Sequence, residues 1–267
     1  MANETKQRRT GVRLDMRLAL GLLAAALLII GLVAALRPGS SGPEPAPEVS
    51  DSVPAAAAEV TPVPAPEPTP EPRPAPPEVD LDSWELRLVR RDSPLPADFA
   101  PELEEIEEGQ MFDNRAVMHL RKLIADARAA GYSVYVCSGY RSYDTQSFIY
   151  WNHVQDYEKQ GMTREEAEAA TAIAVNYPGG SEHQLGLAAD ILEYQGQAME
   201  PWIGGSGLML WLQEHCADYG FVVRYPEGKT DVTGVEYEPW HLRFVGSCAW
   251  YLMEYDLCLE EFRALYQ

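Results

Sequence analysis

The chain has 267 residues, 46% of them hydrophobic, and its 41 acidic against 21 basic side chains give a formal net charge of −20. That charge excludes a nucleic-acid partner, which would need basic side chains to neutralise phosphates, and argues against adhesion to an anionic membrane surface. Four cysteines without a CxxC pair exclude a disulfide scaffold and a zinc ribbon, and 10% aromatics concentrated from Trp84 onward exclude a wholly disordered chain.

Residues 1–17 form a basic tail in which Lys6, Arg8, Arg9, Arg13 and Arg17 face only Glu4 and Asp15. The run Leu18 to Leu36 carries no charge. As a helix it would reach about 28 Å at roughly 1.5 Å per residue, close to the bilayer core. It reads as a transmembrane anchor, and the basic flank keeps the N-terminus in the cytoplasm and sends the rest outside the cell. A cleaved signal peptide is the weaker reading, because the apolar run exceeds the usual span of about 7–15 residues. Residues 37–78 are a Pro/Ala/Glu-rich linker that holds 14 of the 21 prolines and no aromatic residue. Such a segment cannot bury enough apolar surface to offset its chain entropy. It reads as a disordered, extended stalk with a reach of up to about 120 Å.

The folded domain is 79–267, with 32 acidic and 14 basic side chains. Val117, Leu120, Leu123, Ile124 and Ala127 recur at helical spacing within 114–130, and Gly131 supplies the stop. Residues 132–136 read as a strand. Thr163 and Glu166 form a capping box that opens a second helix. Residues 187–192 read as a buried strand, 208–219 as an amphipathic helix ending at Gly220, and 221–225 and 240–245 as two more strands. A last helix starts near Ser247. Helices and strands mix without regular βαβ alternation, so the expected class is α+β.

Of five histidines, His119 and His215 sit in amphipathic helices and His153 in an aromatic stretch; surface or packing roles suffice for these three. His183 and His241 differ. A hydrolytic zinc needs three protein ligands and one open position. His183 and Asp190 are seven residues apart, and a turn through Gly186 into a strand would let both converge on one point. Glu238, three residues before His241, could serve as a general base without being a ligand. On spacing alone, a buried structural His–Asp pair remains the alternative.

The phrase Ser181-x-His183-x-x-Gly186-x-Ala188-x-Asp190, followed by Glu238-x-x-His241, resembles the signature of the VanY-type zinc D-alanyl-D-alanine carboxypeptidases. This is peptidase family M15, related to the D-alanyl-D-alanine dipeptidases and the Hedgehog fold. Ser138-Gly139-Tyr140-Arg141-Ser142, Gln146, Arg224-Tyr225-Pro226-x-Gly228-Lys229 and Thr233-Gly234 are similar too, and no motif position departs from the pattern. The likeness runs from about Leu88 to the C-terminus. It implies a single small Hedgehog/D,D-peptidase-like domain with a central antiparallel sheet flanked by helices. It implies one Zn2+ held by His183, Asp190 and His241, with Glu238 as general acid/base and Arg141 stabilising the oxyanion. Ser181 and Gln146 match positions that line the substrate site; loop capping is their alternative. Trp240 and Tyr237 are expected to pack beside the site.

The function so implied is D,D-carboxypeptidase activity, in which zinc-activated water removes the C-terminal D-alanine from peptidoglycan stem peptides. The alternatives are an L,D-carboxypeptidase trimming tetrapeptide stems, a family endopeptidase, or a non-catalytic zinc-stabilised binding module. Glu238 speaks against the binding module, because a structural zinc needs no adjacent base. Cys216 and Cys258 flank the stretch that delivers Glu238 and His241, and in an exported domain they are expected to form a disulfide. Pairing of Cys216 with Cys248, or four free thiols, are the alternatives, and Cys137 reads as a buried hydrophobe.

Overall fold

A computed structural model of the chain describes residues 75–266. The expected tail, the expected anchor and all but the last four residues of the linker lie outside the described residues. Among the described residues, no helix is long and apolar enough to cross a membrane.

A hairpin comes first, with β1 (Leu103–Glu107) antiparallel to β2 (Gln110–Asp113). Both turn residues have positive φ, 49° at Glu108 and 80° at Gly109. Helix α1 (Val117–Ala129) follows. It buries Val117, Leu120, Leu123, Ile124 and Ala127, the stripe that the spacing predicts, and Gly131 takes a φ of 98° just past its end. Strand β3 is Tyr135–Ser138, three residues later in onset than expected.

Helix α2 (Tyr143–Lys159) has no counterpart among the expected elements. Only Gln146, Tyr150 and Val154 are buried along it, a stripe too narrow to announce amphipathicity. Its Ser142 N-cap accepts the Thr145 backbone N–H at 3.2 Å. Helix α3 (Arg164–Ala174) opens on the Thr163–Glu166 capping box with both reciprocal bonds in place. Then come β4 (Ala188–Leu192), α4 (Gly207–His215) and β5 (Phe221–Tyr225). Between α4 and β5 the last turn tightens to a 3-10 segment, Cys216–Tyr219, before Gly220 reverses the chain at φ 83°. After the single turn α5 (Thr230–Thr233) come β6 (Glu238–Phe244), α6 (Ala249–Glu254) and α7 (Leu259–Ala264). The expected single last helix is therefore two, broken where Asp256 takes a φ of 49°.

The four longer-range strands form one antiparallel sheet in the order β3-β4-β6-β5. The class is α+β, with helices against the sheet as expected. One core cluster joins α1 and α4 to it through Leu120, Leu123, Ile191, Leu212, Phe221 and Leu242. A second gathers Val222, Val245, Leu252, Leu259 and Phe262 beneath α6 and α7. Successive residues of β5 thus point into different clusters, as pleated geometry requires.

The expected Cys216–Cys258 bridge is not formed; all four cysteines are free. Cys216 packs its sulfur 3.6 Å from Met253 Sδ, while Cys258 occupies the N-cap of α7, its backbone N–H on Glu261. The first is a filler of the apolar core and the second a helix terminus.

Candidate active site

Two central strands carry most of the site. Asp190 on β4 and His241 on β6 are direct cross-strand partners, so their side chains share one face. Glu238 lies three residues before His241, and strict alternation would send it to the opposite face. Register shows why it does not go there. Val223 pairs with Leu242 but Tyr225 pairs with Glu238, so a single β5 residue opposes Pro239, Trp240 and His241. Pro239 has no N–H for the ladder, and the bulge re-aims Glu238 toward the site. Its Oε2 lies 3.6 Å from His241 Nδ1.

His183 arrives on the loop before β4. The chain reverses at Gly186, φ 73°, whose N–H donates to the His183 carbonyl at 3.1 Å. A Cβ there would sit 3.0 Å from the Pro101 ring and 3.2 Å from the Asp113 nitrogen. The turn that the spacing requires is therefore present, and the space around it admits only glycine comfortably.

His183, Asp190 and His241 are 1–3% exposed and offer one ligand atom each, all within 4.8 Å of one another. His183 Nε2 is 3.2 Å from Asp190 Oδ2, and His241 Nδ1 is 3.1 Å from Asp190 Oδ1. His183 Nε2 and Asp190 Oδ1 are buried without a hydrogen-bond partner. Buried orphans of this kind are costly unless something binds them. Two imidazoles and a carboxylate with converging lone pairs fit a zinc ion that keeps an open position. His183 Nδ1 donates to the Gly139 carbonyl at 2.7 Å, which frees Nε2 for the metal.

Burial and mutual attraction set the charge states of this cluster. Burial, helped by Arg141, pushes the His183 imidazole down to about 4. Burial also pulls on His241, but Asp190 and Glu182 outweigh it and raise that imidazole to about 9. Burial pushes the Glu238 carboxyl up to about 8, with Asp190 and Glu236 adding and His241 and Arg141 opposing. Burial would raise Asp190 too, yet the two histidines hold it well below its ordinary range.

Arg141 lies beside this cluster. Its Nη1 is 3.4 Å from Asp190 Oδ2 and 3.1 Å from Ser138 Oγ, and its Nε donates to Gln146 Oε1 at 3.1 Å. Gln146 is 1% exposed, and its other amide end donates to the Asn176 carbonyl at 2.7 Å. Both ends of Gln146 are therefore engaged in bracing Arg141. Ser181 is equally buried, and its hydroxyl has no partner. A cleft of about 260 Å³ opens onto the ligands. Arg141, Glu238 and Trp240 line it, as does His153, to which the sequence assigns a surface or packing role, and so do Asn176, Met199 and Glu236, which sequence reasoning did not single out. Glu182, the unspecified position between Ser181 and His183 in the motif, is 0% exposed and lies 3.8 Å from His241 Nε2.

An α+β sheet that presents two histidines, an aspartate and an adjacent carboxylate to one cleft defines a metal-dependent hydrolase. Comparison with known proteins narrows the class. Residues 109–247 match the VanY family, described as D-alanyl-D-alanine carboxypeptidase. A D-alanyl-D-alanine carboxypeptidase of Enterococcus faecalis is 41% identical over 184 residues, 68% of this chain and 67% of the relative. The solved structure of VanYB in complex with D-alanine-D-alanine is 39% identical with a TM-score of 0.63, covering 69% of this chain and all of that one. That of VanY in complex with Zn(II) is 41% identical with a TM-score of 0.61, covering 68% and 99%. The LdcB LD-carboxypeptidase is 36% identical with a TM-score of 0.57, covering 66% and 84%. The chain belongs to the VanY D-alanyl-D-alanine carboxypeptidase family.

Proposed function

We propose that the chain is a zinc-dependent D,D-carboxypeptidase that removes the C-terminal D-alanine from peptidoglycan stem peptides. The observation that carries this reading is the convergence of His183, Asp190 and His241 with Glu238 held 3.6 Å from His241 Nδ1. The family's zinc-bound and D-alanine-D-alanine-bound structures support it.

His183 through Nε2, Asp190 through its carboxylate and His241 through Nδ1 would hold the zinc, which when bound supplies a Lewis acid and lowers the pKa of water. Glu238 accepts the proton of the attacking water and passes it to the departing D-alanine nitrogen. Burial that raises its carboxyl makes it a competent base, and a cation at the ligand set draws it back toward neutral pH. Arg141 offers guanidinium N–H groups where negative charge develops on the carbonyl oxygen, braced by Gln146 and Ser138. Gln146 acts on the substrate through Arg141, and Ser181 contributes a buried hydroxyl to the loop that carries His183.

The L,D-carboxypeptidase reading stays open on the similarity to LdcB. Zinc-loaded protein incubated with a pentapeptide ending in D-Ala-D-Ala and with the matching tetrapeptide separates the two. Loss of one alanine mass from the pentapeptide is expected; cleavage of the tetrapeptide alone would replace D,D- by L,D-specificity.

Residues 18–36 anchor the protein in the cell membrane with the domain outside, on the strength of the uncharged 19-residue run and its basic flank. The full chain is expected in the membrane fraction, and a chain lacking residues 1–36 in the soluble one. A shortened, soluble mature form of the full chain would indicate a cleaved signal instead.

A further inference from the structure

Behind His241 lies a buried charge cluster that ligation and catalysis do not use. Glu182, Arg224 and Arg243 are 0–2% exposed. Arg224 Nε donates to Glu182 Oε1 at 2.8 Å, and Arg243 Nη1 lies 2.8 Å from that same oxygen. Arg224 turns its other two nitrogens to Glu260 on α7, at 2.9 and 2.7 Å. Arg243 donates its remaining N–H groups to the carbonyls of Glu85, Arg87 and Phe244.

Both guanidiniums thus meet Glu182 through one oxygen. The other oxygen, Oε2, is buried and has no hydrogen-bond partner, and it faces His241 Nε2, equally buried and unpartnered, at 3.8 Å. Burying three charges, with Glu260 half-buried beside them, is a poor route to stability, because an apolar set of similar volume often does as well. A ligating histidine, by contrast, needs its second nitrogen protonated and held. His183 meets that need with the Gly139 carbonyl. His241 is turned the other way, with Nδ1 toward Asp190, and the acceptor in front of its Nε2 is Glu182.

We propose that Glu182 is the positioning residue for His241. Its Oε2, 3.8 Å from Nε2, is placed to accept the Nε2 proton as the gap closes on metal binding, and so to fix the tautomer that aims the Nδ1 lone pair at the ligand set, while Arg224 and Arg243 hold the carboxylate in place. The two histidines then ligate through opposite nitrogens, one steadied by a backbone carbonyl and the other by a buried carboxylate. Through Glu260 and Arg224, the chain's last helix holds the orientation of a ligand on β6.

The proposal rests on the ligand assignment above, and Glu182→Gln tests it separately. The amide must turn its oxygen to the two guanidiniums, which leaves its NH2 facing Nε2. His241 then carries its proton on Nδ1, where it opposes ligation. Zinc affinity, measured by competition with a chromophoric chelator at fixed pH, is expected to fall about 10- to 100-fold. A folded Glu182→Gln protein with wild-type affinity would overturn the role of Glu182 while His241→Ala still loses the metal. Wild-type affinity in His241→Ala would overturn the ligand assignment and the proposal together. A second readout needs no variant. Long-range 1H–15N correlation of histidine-labelled, zinc-loaded protein is expected to show His241 protonated at Nε2 and His183 at Nδ1; a proton on His241 Nδ1 contradicts the proposal.

Discussion

Two of the domain's clefts are similar in size and differ in what their linings can bind. One, about 260 Å³, opens onto His183, Asp190, Glu238 and His241. The other, about 310 Å³, lies between β5 and α6, where Val222, Val223, Leu252, Met253 and Leu257 share the lining with Gln213, Cys216, Glu227, Tyr237 and Asp256. The larger holds no converging donor set; among the described residues the group able to hold a metal is His183, Asp190 and His241. Volume therefore does not locate the chemistry. The convergence of His183, Asp190 and His241 does, with buried polar atoms among them that are costly until a ligand satisfies them.

Substitutions on the two sides should separate these characters. The largest effect is expected from His241→Ala, which removes a ligand and should abolish both zinc stoichiometry and turnover, read by metal analysis and by release of D-alanine. Glu238→Gln should follow, with zinc retained and kcat lowered by about 10²- to 10⁴-fold, because an amide cannot take the water's proton. Near wild-type kcat with zinc bound would remove Glu238 from the base role. Arg141→Met is expected to cost about 10²- to 10³-fold in kcat, the usual loss for one oxyanion donor. Since Arg141 also reaches Asp190, the zinc content of that variant decides the comparison: full occupancy supports transition-state stabilisation, and parallel loss of metal would make Arg141 a brace for the ligand. In the second cleft, Leu252→Ala should lower unfolding stability by about 2–5 kcal/mol and leave kcat within twofold. A large fall in kcat there would mean that the two clefts are coupled.

Legibility from sequence divides along the same line. The α1 stripe, the Thr163 capping box, the Gly186 turn and the ligand triad all follow from local rules or ordered motifs, and the structure has each of them. Helix α2 was hidden because its buried face is three residues wide. The approach of Glu238 to His241 was legible as a spacing, but its cause, the bulge at Pro239, depends on pairing with β5. Glu182 stood in plain sight between Ser181 and His183. Its significance depends on Arg224 and Arg243, some 40 and 60 residues away in sequence, and on the direction in which His241 turns. The expected Cys216–Cys258 bridge failed for the same reason: sequence placed both cysteines beside useful segments, but only packing could say that Cys216 faces Met253.

Crystals of the zinc-loaded protein, measured on both sides of the zinc absorption edge, test the central claim most directly. One anomalous peak is expected per chain, bonded to His183 Nε2, the Asp190 carboxylate and His241 Nδ1, with none in the second cleft. A peak placed elsewhere, or contacts that omit any of these three residues, would contradict it.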